Sequence, residues 1–587
     1  MKPHNNPIHS ALPDVQVAIS YSVLYRDYDT VNPYLFIKDI PTLALLNFVV
    51  TLQNRVLYAV SDYTAQKQMI REMCPWLDAT ARRKAWQFQK NHNMPLLMSC
   101  DTSFLMFRLA LSNYVPFEPD DDMLDLCQDE MEGAYKAILY CNQKWTDIGW
   151  PYNCSSKINL AEDPLSFAKI SLRVDLPIVE FKLYKDFRVQ FYKAIQFFKF
   201  CEADPIFSTY LPTFYSDHKT KNWRDYLSQI FLFLEASLKK QYISVDDPDD
   251  FLLKSALSFF GQFVIDPKDG ILKGLWTGDQ GMAYLRDHFL LRVSDKIYLL
   301  LNVNLLVDKM YQGMKFDFFR SIKEHGLLTK DGKKYINYPH FNSVLGEVFS
   351  EPKMLYPFLH KCFDGVAEKL IEGETLKANG MKGAPDFYMR EEDILFLFEY
   401  KDLTLGDSVK FSQNEEIMKQ QILERICYDG IDSTGKYKRK GGGQLLATID
   451  DLLNKHSFDQ YDENVSLIKK ICPIIITTDS AFSSLGVNAL VIEAFNKIKN
   501  EKGYKFGGVF VSVPVIVDLD SLIKLGYMFS IKEINLWGVI YNYLVDNKFG
   551  IVPFSAYVMD SILKHHTMTK EEHNFLFAEM FLEKDGE

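Results

Sequence analysis

Residues Gly383 to Asp402 read GAPDFYMREEDILFLFEYKD, two apolar segments joined by a polar turn and ending in charge. Asp386 follows Pro385 on a short apolar segment, Phe387-Tyr388-Met389. A polar turn runs from Arg390 to Asp393, and the apolar run Ile394 to Phe398 follows it. A strand that is apolar at every position is buried on both faces, as the central strand of a layered sheet is. This one ends in Glu399-Tyr400-Lys401, placing charge where a buried strand ordinarily carries none.

Side chains alternate along a strand, so Glu399 and Lys401 share one face and Tyr400 takes the other. If the two segments form a hairpin, the turn decides where Asp386 points. A two-residue loop, Glu391-Glu392, sets Asp386 opposite Leu397, and a four-residue loop, Glu391 to Ile394, sets it opposite Glu399. Both put Asp386 on the Glu399 face, whereas a three-residue loop puts it on the other. On the shared face, two carboxylates and a lysine converge where the sheet surface opens. Neighbouring carboxylates repel, and burial worsens the repulsion unless one is protonated or a cation lies between them. A divalent metal is the simplest occupant, since Mg²⁺ prefers oxygen ligands and takes one or two carboxylates with water and substrate phosphate. That arrangement suits metal-assisted phosphodiester hydrolysis, with Lys401 orienting the water or stabilising the pentavalent transition state. The backbone carbonyl of Tyr400 is a candidate extra ligand. The competing reading is an ordinary ion pair at the end of a buried strand.

Pro385-Asp386, twelve intervening residues, then Glu399-x-Lys401 resembles the motif of the PD-(D/E)XK nuclease superfamily. The resemblance covers about a third of the chain, from around residue 335 to around residue 530. It implies a restriction-endonuclease-like α/β core, a mixed sheet flanked by helices: a helix, a three-stranded antiparallel meander carrying the acids, a second helix and a further strand. Phe341 to Phe363 is expected to supply the first helix. Gly441-Gly442-Gly443-Gln444 opens the second, which runs to about Leu453, and Ile471 to Thr477 reads as the next strand. The resemblance assigns catalytic roles to Asp386, Glu399, Lys401 and Gln444, the last at the start of the second helix. To the metal ligands Asp386, Glu399 and the Tyr400 carbonyl it adds an acid on the first helix, for which Glu347 is the candidate and Glu351 and Glu368 are rivals. It implies Mg²⁺, with Mn²⁺ as a substitute, and DNA more than RNA as substrate. Other acid-x-Lys triplets occur, and Glu180-Phe181-Lys182 is the best decoy, because it too follows an apolar run; it lacks a Pro-Asp on a partner strand.

At 587 residues the chain has length for two or more domains and an ample core. Its apolar share of 47% and charged share of 24% are those of a globular protein. A formal net charge of −11 means that nucleic acid must be met by a local basic patch rather than by the whole surface. The densest basic stretch is Lys436, Lys438, Arg439 and Lys440, in a Gly-rich loop expected from Asp429 to Gly443. These side chains are candidates for holding a nucleic-acid backbone, with the three glycines allowing its close approach. Nine cysteines without paired metal spacing predict reduced, packed thiols and argue against zinc. The opening residues lack a basic-apolar-small signal pattern, and the longest early apolar run, Pro41 to Leu52, is too short to span a bilayer. A cytoplasmic protein without membrane contact is the expectation.

Helical periodicity dominates from Val15 to Leu327, as in Leu45, Phe48, Val49, Leu52 and Val56. Aromatic residues at helical spacing, including Phe191, Phe197, Phe198 and Phe200, read as core. Ile158 to Phe181 is expected to contribute a strand or two, Ser408 to Tyr428 one amphipathic helix, and Gly508 to Leu519 another strand with Pro514 at an edge or bulge. The expected division is a mostly helical region over residues 1–330, a nuclease-like domain over 331–533 and a short helical tail over 534–587. A large helical region beside such a core resembles prokaryotic restriction and anti-phage defence effectors, where it serves as a sensor, specificity or assembly module toward a partner protein or a second copy. The alternative from another class is a non-catalytic nucleic-acid-binding or scaffold protein with a nuclease-like core.

Overall fold

A computed structural model describes residues 17–57, 63–117, 125–149, 163–182, 185–239, 242–244, 259–278, 281–294, 297–381, 383–431 and 437–581. The chain forms a mixed α/β structure in two compact units. The first comprises residues 1–161, 180–184 and 224–307, and the second comprises 162–179, 185–223 and 308–587. The second therefore takes in helices from the region that the sequence assigns to residues 1–330.

The first unit is mostly helical. Among its helices, Thr42–Leu57, Cys100–Ser112 and Gln128–Gly149 bury the apolar faces that their periodicity announces. Asn142 is buried and ties the unit together, its amide donating to the carbonyls of Ile19 and Leu97, each at 2.9 Å. A small antiparallel sheet of Tyr242–Ser244, Leu290–Ser294 and Ile297–Leu300 also lies in this unit, which helical periodicity did not announce.

In the second unit six strands form one sheet: β1 (Lys369–Glu372), β2 (Phe387–Glu391), β3 (Ile394–Lys401), β4 (Lys470–Thr477), β5 (Phe510–Val511) and β6 (Val515–Asp518). β1, β2 and β3 are an antiparallel meander. β4 lies parallel to β3, and both β5 and β6 pair with β4 in parallel. β3 is central and Leu395 to Tyr400 are buried, as a strand apolar along its length requires. The β2–β3 turn has two residues, Glu392-Asp393, with Glu391 opposite Ile394. Glu392 adopts the left-handed region at φ +51° to close it. The resulting register continues to place Asp386 opposite Glu399, and the Asp386 N–H donates to the Phe398 carbonyl at 2.9 Å.

A continuous helical run precedes the sheet: α1 (Tyr338–Leu345), a π-helical stretch (Gly346–Leu355) and α2 (Tyr356–Phe363). Asn337 caps its start by accepting from the His340 N–H at 3.0 Å. Pro352 sits inside the run and lacks an N–H, and the Tyr356 N–H donates to the Glu351 carbonyl five residues back, the pattern of a π turn. Next come α3 (Gly373–Ala378), α4 (Glu415–Ile426), α5 (Gly442–Lys455), α6 (Val487–Lys502) and α7 (Leu519–Ser530). α5 packs on β3 and β4. On the other face of β2, Phe387 meets the ring of Tyr356 with centroids 5.9 Å apart. Phe197 and Phe200, on the helix Phe187–Ala203, pack edge-on and tilted against Phe349, the core role that their spacing predicts.

Four local expectations are corrected. The segment around Ile158 to Phe181 forms the helix Pro164–Asp175 rather than strands, because Asp163 caps it through the Ser166 N–H and Pro164 occupies its first turn; residues 158–162 lie outside the described residues. Ser408 to Tyr428 is split into a short turn at Asp407–Lys410 and α4, where Asn414 caps the new start through the N–H groups of Glu416 and Ile417. The loop from Asp429 is a hairpin, Tyr428–Ile431 against Tyr437–Arg439. The strand expected from Gly508 to Leu519 is two short strands, β5 and β6, with Pro514 in the break.

Candidate active site

Glu399 and Lys401, two residues apart on β3, face the same side, and Lys401 Nζ lies 2.6 Å from Glu399 Oε1. The second oxygen of Glu399 accepts from the Gln444 amide at 3.1 Å, and the same amide donates to the Ala384 carbonyl at 3.1 Å. One turn along α5, the Thr448 hydroxyl donates to the Gly383 carbonyl at 2.9 Å, so the first turns of the helix are tied to the loop that delivers Asp386. Asp386 Oδ2 accepts from the Tyr400 N–H at 2.8 Å, and its Oδ1 lies 3.4 Å from Lys377 Nζ on α3. Tyr400 thus enters the group through its backbone N–H.

α5 begins where it does because of its glycines. Gly441 has φ +50°, and a Cβ there would lie 2.1 Å from the Ile426 carbonyl oxygen. The Gly443 N–H donates to the Cys427 carbonyl at 2.9 Å, and a Cβ on Gly443 would lie 3.0 Å from that oxygen. The close approach that the three glycines permit is therefore to the end of α4 within the chain, a correction to the reading that reserved it for a substrate backbone. The physical cause is that α4 and α5 meet backbone to backbone, which no side chain can separate.

The acid that joins the group from the helical run is Glu351, not Glu347. Glu347 is exposed, whereas Glu351 is half-buried and close enough to Asp386 to be repelled by it. Residues four apart stack on an α-helix, but the wider π turn around Pro352 breaks that stacking, so Glu347 and Glu351 face differently. Glu368 lies at the far end of the meander, where it accepts from the Glu392 N–H at 2.6 Å. Lys377 carries no signal in the sequence around it. Glu351 has one, the proline that follows it in an otherwise helical run.

Burial, reinforced by Asp386 and opposed by Lys401, pushes the Glu399 carboxyl up to about 8. Burial and Asp386 push Glu351 up to about 7, against Lys377 and Lys401. Burial alone lowers the Lys401 ammonium, but Glu399, Asp386 and Glu351 together outweigh it and hold the group above its ordinary value. The site is an excess of buried carboxylate over cation. Its donors are carboxylate oxygens, the kind that hard divalent cations take, and a cation among them relieves the repulsion that raises Glu399. Among the described residues, no group of three or more His, Cys, Asp and Glu side chains stands as a ready coordination shell.

Below the site, Asp402 anchors the end of β3. Its carboxylate accepts from the Ser350 and Thr478 hydroxyls, each at 2.6 Å, and lies 3.4 Å from the fully buried Lys315. Asn342 bridges the two, its Oδ1 3.2 Å from Lys315 Nζ. Desolvation raises Asp402, and Lys315 with the three hydrogen-bonding side chains outweighs it to leave the carboxyl below its ordinary range. The end of the strand bearing Glu399 and Lys401 is therefore bolted to α1, the π stretch and the end of β4.

Of the basic stretch, Lys436 lies outside the described residues. Lys438 and Arg439 stand on the second strand of the hairpin, their side chains outside the described set, and Lys440 is half-buried just before α5. Among the described residues, no helix is long and apolar enough to cross a membrane. No protein-family model, no curated protein and no solved structure matches this chain.

Proposed function

We propose that the protein is a metal-dependent nuclease that hydrolyses phosphodiester bonds, DNA in preference to RNA, with Mg²⁺ held by Asp386 and Glu399 and Mn²⁺ as a substitute. The observation that carries the reading is the opposition of Asp386 and Glu399 across neighbouring strands, with Lys401 and Gln444 each holding one oxygen of Glu399. When bound, the metal lowers the pKa of a water and neutralises charge on the phosphoryl oxygens. The chain's own residues do the rest. Gln444 and Lys401 orient the Glu399 carboxylate, the Tyr400 N–H orients Asp386, and Lys401 donates hydrogen bonds toward the charge that develops on the phosphoryl group. Glu351 adds a third carboxylate at the rim. The preference for DNA rests on the resemblance of the Pro385-Asp386…Glu399-x-Lys401 motif, and a role in prokaryotic defence rests on the resemblance of a large helical region beside such a core to defence effectors.

A non-catalytic nucleic-acid-binding or scaffold role is the second reading. It is favoured by the pairing of each central carboxylate with a lysine, which satisfies part of the charge without a metal. A cleavage assay on linear, circular and single-stranded DNA and on RNA, with Mg²⁺, Mn²⁺ or EDTA, separates the two. The nuclease reading expects cutting that EDTA abolishes and that Lys401→Ala lowers by about 10²-fold or more. Nucleic-acid binding without cutting or metal uptake would favour the scaffold.

A further inference from the structure

Asp386 and Glu399 each face a lysine, but the two pairs are built differently. Lys401 is 15% exposed and held 2.6 Å from Glu399. Lys377 is 49% exposed and stands 3.4 Å from Asp386, which is itself 8% exposed. Asp386 is a fixed acceptor, pinned through Oδ2 by the Tyr400 N–H and through its own N–H by Phe398. Lys377 is an ammonium on a long half-solvated stem. The stem's origin is set closely: the Gly373 N–H donates to the Asp386 carbonyl at 2.8 Å, and a Cβ on Gly373 would lie 2.5 Å from the Pro385 carbonyl oxygen and 2.8 Å from Asp386 Cα. α3 thus rests backbone to backbone on the segment carrying Asp386, and Lys377, four residues on, projects from the same face.

We propose that Lys377 is a second, displaceable cation of the site: it competes with a divalent metal for Asp386 and, once displaced, pairs with a phosphate oxygen of the nucleic-acid substrate. A fixed carboxylate gains more from a divalent ion than from a half-exposed ammonium, and the released lysine keeps its charge within one side-chain length of the scissile region. Lys401 is not the cation that a metal displaces from Asp386, because its ammonium is held 2.6 Å from Glu399, the carboxylate that it orients. The proposal rests on the nuclease reading and adds to it a residue outside the motif.

The test uses the full chain as wild type, Lys377→Met and Lys377→Arg, with circular dichroism to confirm the fold. Mn²⁺ binding without substrate is measured by electron paramagnetic resonance, and DNA cleavage is measured at saturating Mn²⁺. Lys377→Met is expected to bind Mn²⁺ roughly three- to tenfold more tightly, the range left to a charge pair at this separation after solvent screening. It is also expected to cut DNA about tenfold more slowly, with Lys377→Arg recovering most of the rate. Equal or weaker Mn²⁺ affinity in Lys377→Met overturns the competition while leaving the nuclease reading intact. Unchanged cleavage beside tighter Mn²⁺ binding overturns the phosphate contact. Absence of Mn²⁺ binding in both wild type and variant overturns the proposal and the nuclease reading together.

Discussion

At Glu399 the side chain is buried, faces Asp386 and is held at both oxygens. Its carboxyl is raised to about 8, so the folded metal-free protein keeps a proton that the unfolded chain releases in the ordinary carboxylate range. The stability contributed by that proton is fully present below about pH 4 and is lost as pH rises through 8. Thermal melting in EDTA is expected to show the midpoint falling between pH 5 and 8, and Glu399→Gln is expected to remove that part of the slope; a wild-type curve with no such fall would count against the buried pair. Two acids on the helical run separate by position. Glu351→Gln should impair metal-dependent cleavage, and Glu347→Gln, altering an exposed residue, should leave it within about twofold of wild type. A common effect of both would place the site elsewhere. The shared face of Glu399 and Lys401 was legible in the sequence because strand alternation is a local rule, whereas the side that Asp386 takes waited on the length of the turn. Glu351 and Lys377 were not legible, because a π turn and a backbone contact decide where they point.

Among the elements, the end of β3 is constrained by a buried ion pair and helix α3 by a backbone contact. Lys315 and Asp402 are a buried pair, 0% and 3% exposed at their side chains. Removing one partner strands the other charge in a low-dielectric interior. Lys315→Met is therefore expected to destabilise the second unit by about 3–5 kcal/mol, read by urea unfolding, while Lys315→Met with Asp402→Asn should recover part of the loss. Equal stability of wild type and Lys315→Met would show that the pair carries no weight. At α3, Gly373→Ala drives a methyl into the Pro385 carbonyl and the Asp386 backbone, for an expected cost of about 1–3 kcal/mol. Its cleavage should fall further than its stability, since the displaced segment is the one that holds Asp386. β3 and β4 were legible as continuous apolar runs. The division of the Ser408 to Tyr428 segment and the pairing of Tyr428–Ile431 with Tyr437–Arg439 were not, because capping by Asn414 and strand pairing override periodicity.

For the molecule as a whole, the unit that holds the site draws on residues 162–179 and 185–223 as well as 308–587. Lys193, 4% exposed, pairs with Asp520 on α7, and Phe197 packs against Phe318 and Phe349. A fragment limited to residues 331–587 exposes these surfaces and is expected to be insoluble or to melt without cooperativity, whereas in the full chain this unit is expected to melt cooperatively; a cooperative transition in the fragment would show that the earlier helices are dispensable. The central strand, the shared face of Glu399 and Lys401, the glutamine at the head of α5 and the helical character of the first unit can all be read from the order of residues. These follow from periodicity and register, which neighbouring residues set. The folded chain adds that a two-residue turn sets Asp386 opposite Glu399, that Glu351 and not Glu347 reaches the group, that Lys377 stands beside Asp386, and that early helices complete the unit. The sequence leaves the turn open because the polar segment Arg390 to Asp393 admits more than one loop length; the contacts that bring Lys377 beside Asp386 and the early helices onto the unit are made by residues far apart in the chain, where no local pattern records them.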